Sequence, residues 1–379
     1  MKQELERIYS QMDSLDKKIV KAFEERMNMT LELAEYKKQH KLPILDTEYE
    51  RQVVMKNLAM LGNYEYAKEL ESLSEKLLLL SRNLQLDMLH VPYEYPDFAD
   101  AIMDFANAKV GYQGVAGSFS QQALHGYFEG SSVHEYNYLN FEDVFIALQN
   151  GEIDYGVLPI ENSSTGAISD IYDLLNKYDL TISGEYCLAI EQCLLAKPGT
   201  SLSDIKKVYS HPQGFSQSKE FLKNYDWELI PYFNTAKSAE YVANTSDKSI
   251  AAIAGPQATK LYNLEILQQK INFNNKNHTR FLILARKKQI FATSDKVSLI
   301  ISLPHKAGSL ARVLNYFEEY NINLLKLESR PNQTENWSYY FYLDFNGNIR
   351  DRQVLSVLNK LRADSIYFKL LGNYPGVKL

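Results

Sequence analysis

The sequence predicts a chain of three domains: an all-α segment at the front, an α/β segment in the middle and an α+β segment at the end. Three observations lead to this fold class. The 379 residues exceed the length of one ordinary domain. Apolar positions in the first 90 residues recur at three- and four-residue steps. From residue 109 strands alternate with helices, and after residue 296 the order becomes strand, helix, strand, strand, helix, strand.

Composition narrows the class of protein. Hydrophobic residues make up 45% and charged residues 23%, which is typical of a soluble globular chain, and the net charge of -6 offers no basic footprint for nucleic acid. The longest apolar run at the front is far shorter than the ~20 residues of a membrane span, and the first residues lack a secretory signal. The two cysteines, Cys187 and Cys193, favour a reduced compartment. We therefore expect a cytoplasmic protein with no membrane or nucleic-acid partner and no structural metal.

The front segment has the pattern of three helices of unequal length. Pro43 interrupts the first, because proline cannot continue the hydrogen-bond ladder. A second helix is expected at 47–60 and a third at 66–89, separated by Gly62. Such a thin segment has more apolar face than it can cover alone, so a homodimer or higher homo-oligomer is expected.

The middle segment follows a proline-marked linker at 90–96. Its alternation predicts an α/β domain with mostly parallel strands. The expected strands are 109–112, 132–136, 153–160, 181–190, 207–209 and 249–253. The expected helices are 120–129, 141–150, 168–176, 215–224, 236–243 and 255–262.

Polar residues cluster at four strand ends of this middle segment, namely 111–120, 161–166, 210–214 and 277–280. In open α/β sheets, ligands bind beyond the carboxyl ends of the strands. Each stretch also has a structural interpretation: serines before helices are usually caps, His211 beside Pro212 fits a turn, and Arg280 fits a solvated or paired surface residue. Four polar strand ends in one domain favour a pocket.

The same stretches carry a family resemblance. Residues 114–120, 159–163, 210–213 and 279–281 resemble the signature blocks of prephenate dehydratases, in order. The whole chain resembles the bifunctional chorismate mutase/prephenate dehydratase family. The resemblance implies a middle domain with two lobes, like periplasmic binding proteins, that close over prephenate. It also implies loss of CO2 and a hydroxyl to give phenylpyruvate, without a cofactor.

The resemblance assigns roles within the dehydratase site. Thr279 takes the key hydrogen-bond donor role, positioning the leaving oxygen, since a hydroxyl of ordinary acidity is a poor proton source. Glu161 is a candidate proton source if burial raises its pKa. The residues expected to orient or bind the substrate are Asn162, Ser210, Gln217, Ser118, Ser163 and Arg280, the last by a bidentate pairing with a carboxylate.

The front segment resembles the dimeric chorismate mutase domain, which turns chorismate into prephenate. That pericyclic reaction needs cations to clamp a dicarboxylate. The matching residues are Arg26, Lys37, Asp46, Glu50, Ser81 and Gln85. Tyr9 and Tyr49 stand where two arginines are expected, so we expect a weak or inactive mutase. The alternative is that tyrosine hydroxyls or a shifted register compensate.

The end segment resembles the ACT regulatory domain, which implies feedback inhibition by L-phenylalanine. The matching residues are Gly308, Ser309, Leu310, Ala311, Glu328, Ser329 and Arg330. A glycine at position 308 also suits a ligand site, because a residue without Cβ lets a ligand approach the backbone. We expect domains at 1–92, 107–287 and 296–379. Two other functions stay open: an arogenate dehydratase and a non-enzymatic amino-acid sensor.

Overall fold

The computed structural model describes residues 2–44, 46–89, 98–273, 277–332 and 338–377. They divide into two compact units. The helical unit takes the described residues of 1–95, 306–321 and 350–366, and the sheet unit takes those of 96–305, 322–349 and 367–379. The predicted linker at 90–96 lies outside the described residues.

The three predicted front helices are present. They are α1 (Lys2–Gln39), α2 (Thr47–Ala59) and α3 (Ala67–Leu89). Asp46 caps α2, because its side chain accepts a hydrogen bond from the Tyr49 N–H. The first buried residue of α1 is Thr30. Before it lies an apolar stripe whose side chains are 42% to 64% exposed: Leu5, Ile8, Met12, Leu15 and Ile19.

The middle segment alternates strands and helices as its pattern predicts. Its first part contains β1 (Ala99–Ala101), β2 (Lys109–Gln113), α4 (Phe119–Tyr127), β3 (His134–Tyr138), α5 (Phe141–Asn150), β4 (Tyr155–Asn162), β5 (Gly166–Ala167), α6 (Ser169–Lys177) and β6 (Thr181–Ala189). Its second part contains β7 (Cys193–Ala196), β8 (Lys207–Ser210), α7 (Pro212–Gln217), α8 (Lys219–Leu222), β9 (Glu228–Pro231), α9 (Thr235–Asn244), β10 (Ile250–Ala254), α10 (Gln257–Tyr262) and β11 (Glu265–Gln268). The chain then returns through β12 (His278–Ala285) and β13 (Gln289–Phe291).

Two mixed sheets form the lobes of this segment. The first has the order β3-β2-β4-β12-β6, with β5 paired to β4, and the second has the order β11-β7-β10-β8-β9. Strands β2, β3 and β4 are parallel, but β12 runs antiparallel to both β4 and β6. In the second sheet β7 is antiparallel to β10 and β11. The prediction of mostly parallel strands is therefore wrong for these central positions, since strand direction is not encoded in hydrophobic periodicity.

The last segment follows the split βαβ order predicted for it. It contains β14 (Lys296–Ser302), α11 (Ser309–Glu319), β15 (Leu324–Pro331), β16 (Tyr339–Asn346), α12 (Arg352–Asp364) and β17 (Tyr367–Tyr374). The four strands form an antiparallel sheet in the order β15-β16-β14-β17. These strands belong to the sheet unit, whereas α11 and α12 belong to the helical unit.

One apolar core joins the four-stranded sheet to the first sheet. Ile160 and Leu282 of the first sheet lie in the same buried cluster as Ile300, Tyr342 and Leu371 of the last segment. The backbones also approach closely, because a Cβ added to Gly372 would lie 2.1 Å from the Ile182 carbonyl oxygen. The end of β4 is thus held on one side by β12 and backed by strands of the last segment.

Candidate active sites

The candidate dehydratase site begins where β4 ends and β12 starts. Because the two strands are antiparallel, the amino end of β12 lies beside the carboxyl end of β4. Thr279 is paired with Asn162, and Arg280 with Glu161. The register then shifts, leaving Ile160 of β4 without an opposite residue, which is a β-bulge. Two of the predicted polar stretches are in this way brought together.

Asn162 organises this junction through its side-chain amide. Its Nδ2 donates to Thr279 Oγ1 at 2.9 Å and to Asn277 Oδ1 at 2.7 Å. Its Oδ1 accepts from the backbone N–H groups of Ser164 and Thr165 at 2.9 and 3.1 Å, which fixes the turn after the strand. Asn162 is 5% exposed and Thr279 is 8% exposed, so this network is shielded from water.

The hydroxyl of Thr279 is held as an acceptor by this network. Since Asn162 donates to its oxygen, the hydroxyl proton points away from the amide. No acceptor for that proton occurs among the described residues. Ser163 lies close by, and its Oγ accepts from the His278 N–H at 2.9 Å. The arrangement leaves a positioned donor for a ligand.

The second lobe contributes Ser210 and Gln217. Ser210 ends β8, is fully buried and donates to the Ile253 carbonyl at 2.9 Å, so its hydroxyl supports the fold. A Cβ on Gly214 would lie 2.4 Å from Ser210 Oγ, which explains the glycine of this stretch. Gln217 accepts from Gln192 Nε2 through its side-chain oxygen at 3.0 Å, which leaves the amide N–H groups of Gln217 for another acceptor.

Among the described residues, hydrogen bonds also join the two lobes. Gln213 Nε2 donates to Thr165 Oγ1 at 3.1 Å, and the Tyr262 hydroxyl donates to the Ala116 carbonyl at 2.9 Å. Ser118 caps α4, accepting from the Gln121 N–H at 3.4 Å, as its structural interpretation predicts. Within the described part of the chain, no hydrogen bond joins Thr279 directly to Ser118, Ser210 or Gln217.

Glu161 and Arg280 have a different environment from the one expected. Arg280 Nε lies 2.6 Å from Glu161 Oε1, and its Nη1 lies 2.9 Å from both Glu185 Oε2 and Asp344 Oδ2. Lys326 also pairs with Glu161. Burial pushes the pKa of Glu161 up, but the charges of Arg280 and Lys326 outweigh it, so the pKa is lowered. Glu161 is a carboxylate here, which removes the condition on which its role as proton source depended.

Arg280 is likewise committed within the chain. Burial opposes its charge, but Asp344, Glu161 and Glu185 together raise its pKa well above the ordinary value. The Arg280 guanidinium already uses Nε and Nη1 to pair with three carboxylates, so it lacks two free adjacent N–H groups for a bidentate contact with substrate. The expectation that Arg280 binds a substrate carboxylate in this way is therefore corrected. We call the group formed by Glu161, Glu185, Arg280, Lys296, Lys326 and Asp344 the charge cluster.

Sequence reasoning missed most members of the charge cluster. Lys296 lies 2.8 Å from Glu185, and Ser298 donates to Asp344 at 2.6 Å. A signal existed for two of them, since Glu185 and Lys296 are charged residues in strands that are otherwise buried. Three cations and three anions balance, so burying the cluster leaves no net charge.

The candidate mutase site lies in the helical unit. Arg26 donates to Ser81 Oγ and, at 3.1 Å, to the Leu77 carbonyl. Lys37 donates to the Ile44 carbonyl at 2.6 Å, and burial lowers its pKa against the opposing pull of Asp46 and Glu50. Tyr9 is 57% exposed and Tyr49 is 53% exposed.

The third helix adds a polar group and a cation to this site. Gln85 is buried, donates to the Ser81 carbonyl at 3.3 Å, and has no hydrogen-bond partner for its Oε1 in the described residues. Arg82, which sequence reasoning did not single out, lies 3.4 Å from Glu50 through its Nε and 3.1 Å from Asp364 through its Nη1. Its place three residues before Gln85 puts both on one helix face, a spacing that was visible in the sequence.

The expected phenylalanine residues fall in both units. In the helical unit Gly308 has φ +80°, a left-handed conformation that favours glycine, and Ser309, Leu310 and Ala311 begin α11. In the sheet unit Glu328, Ser329 and Arg330 lie on β15. Arg330 is paired with Asp173 at 3.1 Å and donates to Ser169 Oγ at 2.9 Å, so its guanidinium is held by residues of the sheet unit.

The described residues also bear on two other features, a membrane-spanning helix and a metal site. None of their helices is long and apolar enough to cross a bilayer. They contain no group of three or more His, Cys, Asp or Glu side chains arranged to hold a metal ion.

The charge cluster predicts a strong dependence of stability on Arg280. Replacing Arg280 by Ala leaves three partly buried carboxylates without their shared cation, which should cost about 3–5 kcal/mol. The matched control is Arg51→Ala, which removes an exposed pair with Glu48 and should leave stability nearly unchanged. Thermal unfolding of both full-length variants measures the difference. Equal midpoints for the two variants would show that the cluster carries no stability.

Comparison with known proteins agrees with this arrangement. Residues 8–86 match the family described as chorismate mutase type II, residues 110–289 match prephenate dehydratase, and residues 297–363 match the ACT domain. A bifunctional chorismate mutase/prephenate dehydratase from Enterobacter agglomerans is 32% identical over 377 residues, covering 96% of this chain and 94% of the relative.

Solved structures resemble a large part of the chain. The prephenate dehydratase of Arthrobacter aurescens in complex with L-Phe has a TM-score of 0.65 and 27% identity, covering 70% of this chain and 89% of its own. GqqA, described as a novel type of quorum-quenching acylase, has a TM-score of 0.66 and 26% identity, covering 71% and 98%. With three matched domains in order and a relative aligned over nearly its whole length, the chain belongs to the family of bifunctional chorismate mutase/prephenate dehydratases with a C-terminal ACT domain.

Proposed function

We propose that the middle domain converts prephenate into phenylpyruvate, CO2 and water. The observation that carries the proposal is the hydrogen bond at the Thr279 hydroxyl. Its oxygen accepts from Asn162 Nδ2 at 2.9 Å, so its own proton can be donated to a ligand. The ring carboxylate leaves as CO2, its bonding electrons complete the aromatic ring, and the C4 hydroxyl departs with one added proton. Thr279 donates a hydrogen bond to that departing oxygen, where negative charge develops in the transition state.

The same geometry favours dehydration over acyl transfer. An acylase of the usual kind needs a nucleophile activated by an adjacent base. Thr279 instead receives its hydrogen bond from an amide, and Ser210 donates to a backbone carbonyl. Ser118, Ser163, Asn162 and Gln217 remain our proposed residues for orienting the substrate's carboxylates, while Ser210 supports the second lobe behind them. Arogenate differs from prephenate only in its side chain, so the first test uses both substrates.

Thr279→Val removes the hydroxyl but keeps the shape of the side chain. We expect kcat for phenylpyruvate formation to fall by about 10²–10³-fold, the usual loss for one donor to a developing oxyanion. Thr279→Ser keeps the hydroxyl and should retain most of the activity. Absorbance of phenylpyruvate, or of phenylalanine when arogenate is supplied, follows the reaction. Full activity of the valine variant would refute this role, and phenylalanine binding without any turnover would favour the sensor.

We propose a weakened chorismate mutase for the helical unit. Arg26, Lys37, Ser81 and Gln85 carry the polar groups that we propose for contacting a dicarboxylate, but exposed tyrosines occupy two positions where arginine is expected. Each missing charge-assisted contact is worth ~1.5–3 kcal/mol, which is roughly one to two orders of magnitude in rate.

Restoring the arginines tests this weakness directly. Tyr9→Arg and Tyr49→Arg should each raise kcat/KM for chorismate by about 10- to 100-fold, because each returns one cation to the clamp. Tyr64→Arg, at a tyrosine that is 70% exposed and outside the site residues, is the matched control and should change nothing. Wild-type turnover that neither variant increases would mean that the tyrosines compensate.

We propose that α1 pairs with a second copy of the chain. Its exposed apolar residues at 5, 8, 12, 15 and 19 alternate three- and four-residue steps, the spacing of a coiled-coil seam. An uncovered stripe of this length is stable in water only when another surface covers it.

Ile19→Asp places a charge in the middle of this seam. We expect it to convert a dimer, or a larger oligomer, into monomers. Lys17→Asp is the matched control, since residue 17 lies about 200° round the helix from residue 19. Sedimentation of both variants gives their masses. A monomeric wild type, or an oligomer that survives Ile19→Asp, would exclude this interface.

The proposal also covers the regulation of the enzyme by L-phenylalanine and its location in the cell. The ACT domain binds L-phenylalanine as a feedback inhibitor of phenylalanine synthesis, which the family match and the Phe-bound relative support. Inhibition requires that phenylalanine bind the less active arrangement more tightly. The enzyme works in the cytoplasm, consistent with two cysteines that both remain free thiols.

A further inference from the structure

Strand β15 of the last segment carries three side chains that point the same way. Lys326, Glu328 and Arg330 alternate with Leu325 and Leu327, and the alternation of half-buried and exposed positions places the charged side chains on the covered face. Lys326 pairs with Glu161, while Arg330 pairs with Asp173. One strand therefore contacts two places in the dehydratase segment.

Those two places are the ends of the loop that carries the site. Glu161 directly precedes Asn162, whose amide holds Thr279. At the other end, Arg330 Nη1 donates 2.9 Å to Ser169 Oγ, and Ser169 is the first residue of α6. Between them lies the site loop, which we define as residues 162–168. Its turn is closed by the Ser164 and Thr165 N–H groups on Asn162 Oδ1.

Both attachments are more than exposed surface pairs. The Lys326 side chain is 17% exposed, and its ammonium lies 5.5 Å from the centre of the Tyr172 ring. Tyr172 packs edge-on against Tyr342 of β16, whose hydroxyl donates to the Tyr172 carbonyl at 2.6 Å. Arg330 contacts Asp173 through two nitrogens, Nε at 3.4 Å and Nη2 at 3.1 Å. These contacts resist sliding of β15 relative to α6.

We propose that Lys326 and Arg330 are positioning residues of the dehydratase: β15 holds both ends of the site loop and thereby keeps the side chain of Asn162, which the strand pairing sets opposite Thr279, in hydrogen-bonding geometry. The proposal rests on the dehydratase function proposed above and adds the route by which the ACT sheet acts on it. An amino-acid carboxylate that pairs with Arg330 competes with Asp173 for the same guanidinium. Release of that pair frees the helix end of the loop, and a displacement of 1 Å is enough to break a 2.9 Å hydrogen bond.

Kinetics on the full-length enzyme test the two attachments separately. Lys326→Met keeps the length of the side chain and removes its charge; we expect kcat with prephenate to fall at least tenfold with little change in KM. Lys326→Arg should recover most of that loss. Asp173→Asn weakens the ion pair with Arg330 and leaves the expected phenylalanine-binding residues 328–330 unchanged. It should lower the basal kcat and also reduce the extent to which phenylalanine inhibits the remaining activity. Lys177→Met, which breaks an exposed pair with Glu142, is the matched control and should behave as wild type.

Hydrogen exchange separates this inference from the dehydratase function itself. In Lys326→Met and Asp173→Asn, amides of the site loop should exchange faster than in wild type and in Lys177→Met, and added phenylalanine should speed exchange there in wild type. Failure of the wild type to make phenylpyruvate would refute the proposed function, while the exchange data would still decide the positioning role. Wild-type exchange in the site loop of both variants, with unchanged kcat and inhibition, would overturn the inference.

Discussion

The antiparallel pairing of β4 with β12 is the constraint on which the middle domain depends. It brings the end of one strand to the start of another that is more than a hundred residues later in the chain, and sets Asn162 opposite Thr279 and Glu161 opposite Arg280. Polar groups at this depth persist only when each finds a partner. The amide network on one side and the charge cluster on the other meet that requirement with different chemistry.

The structure separates two adjacent residues that the sequence presents as one motif. Asn162 turns to the hydroxyl of Thr279, whereas Glu161 turns to Arg280 and Lys326. The proposed reaction site is therefore a preorganised amide and hydroxyl, and the neighbouring carboxylate stays charged. A lowered pKa at Glu161 keeps it a partner for cations at neutral pH.

Sequence reasoning identified what depends on local pattern. The long helices, the alternation of the middle segment and the order of the last one follow from periodicity, and Ser118 and Asp46 cap helices as their residue types predict. The antiparallel direction of β12 was missed, because an apolar run such as residues 281–284 fits a buried strand of either direction. The protonation of Glu161 could not be foreseen, since Lys326 lies 165 residues away and only folding brings it near. The spacing of Arg82 from Gln85 was visible in the sequence, but its pairing with Asp364 was not, since the two residues are 282 positions apart.

The bulge at Ile160 has a consequence for how this chain can change over evolution. Side chains alternate between the two faces of a strand, so one extra residue reverses which face each later position occupies. Ile160 is that extra residue, and after it Glu161 lies opposite Arg280 and Asn162 opposite Thr279. Deleting it would remove the bulge without changing these pairs, because Arg280 would still lie opposite Glu161 and Thr279 opposite Asn162. This strand end can therefore lose its extra residue and keep the pairing of Asn162 with Thr279, whereas those two side chains are constrained by the hydrogen bond between them.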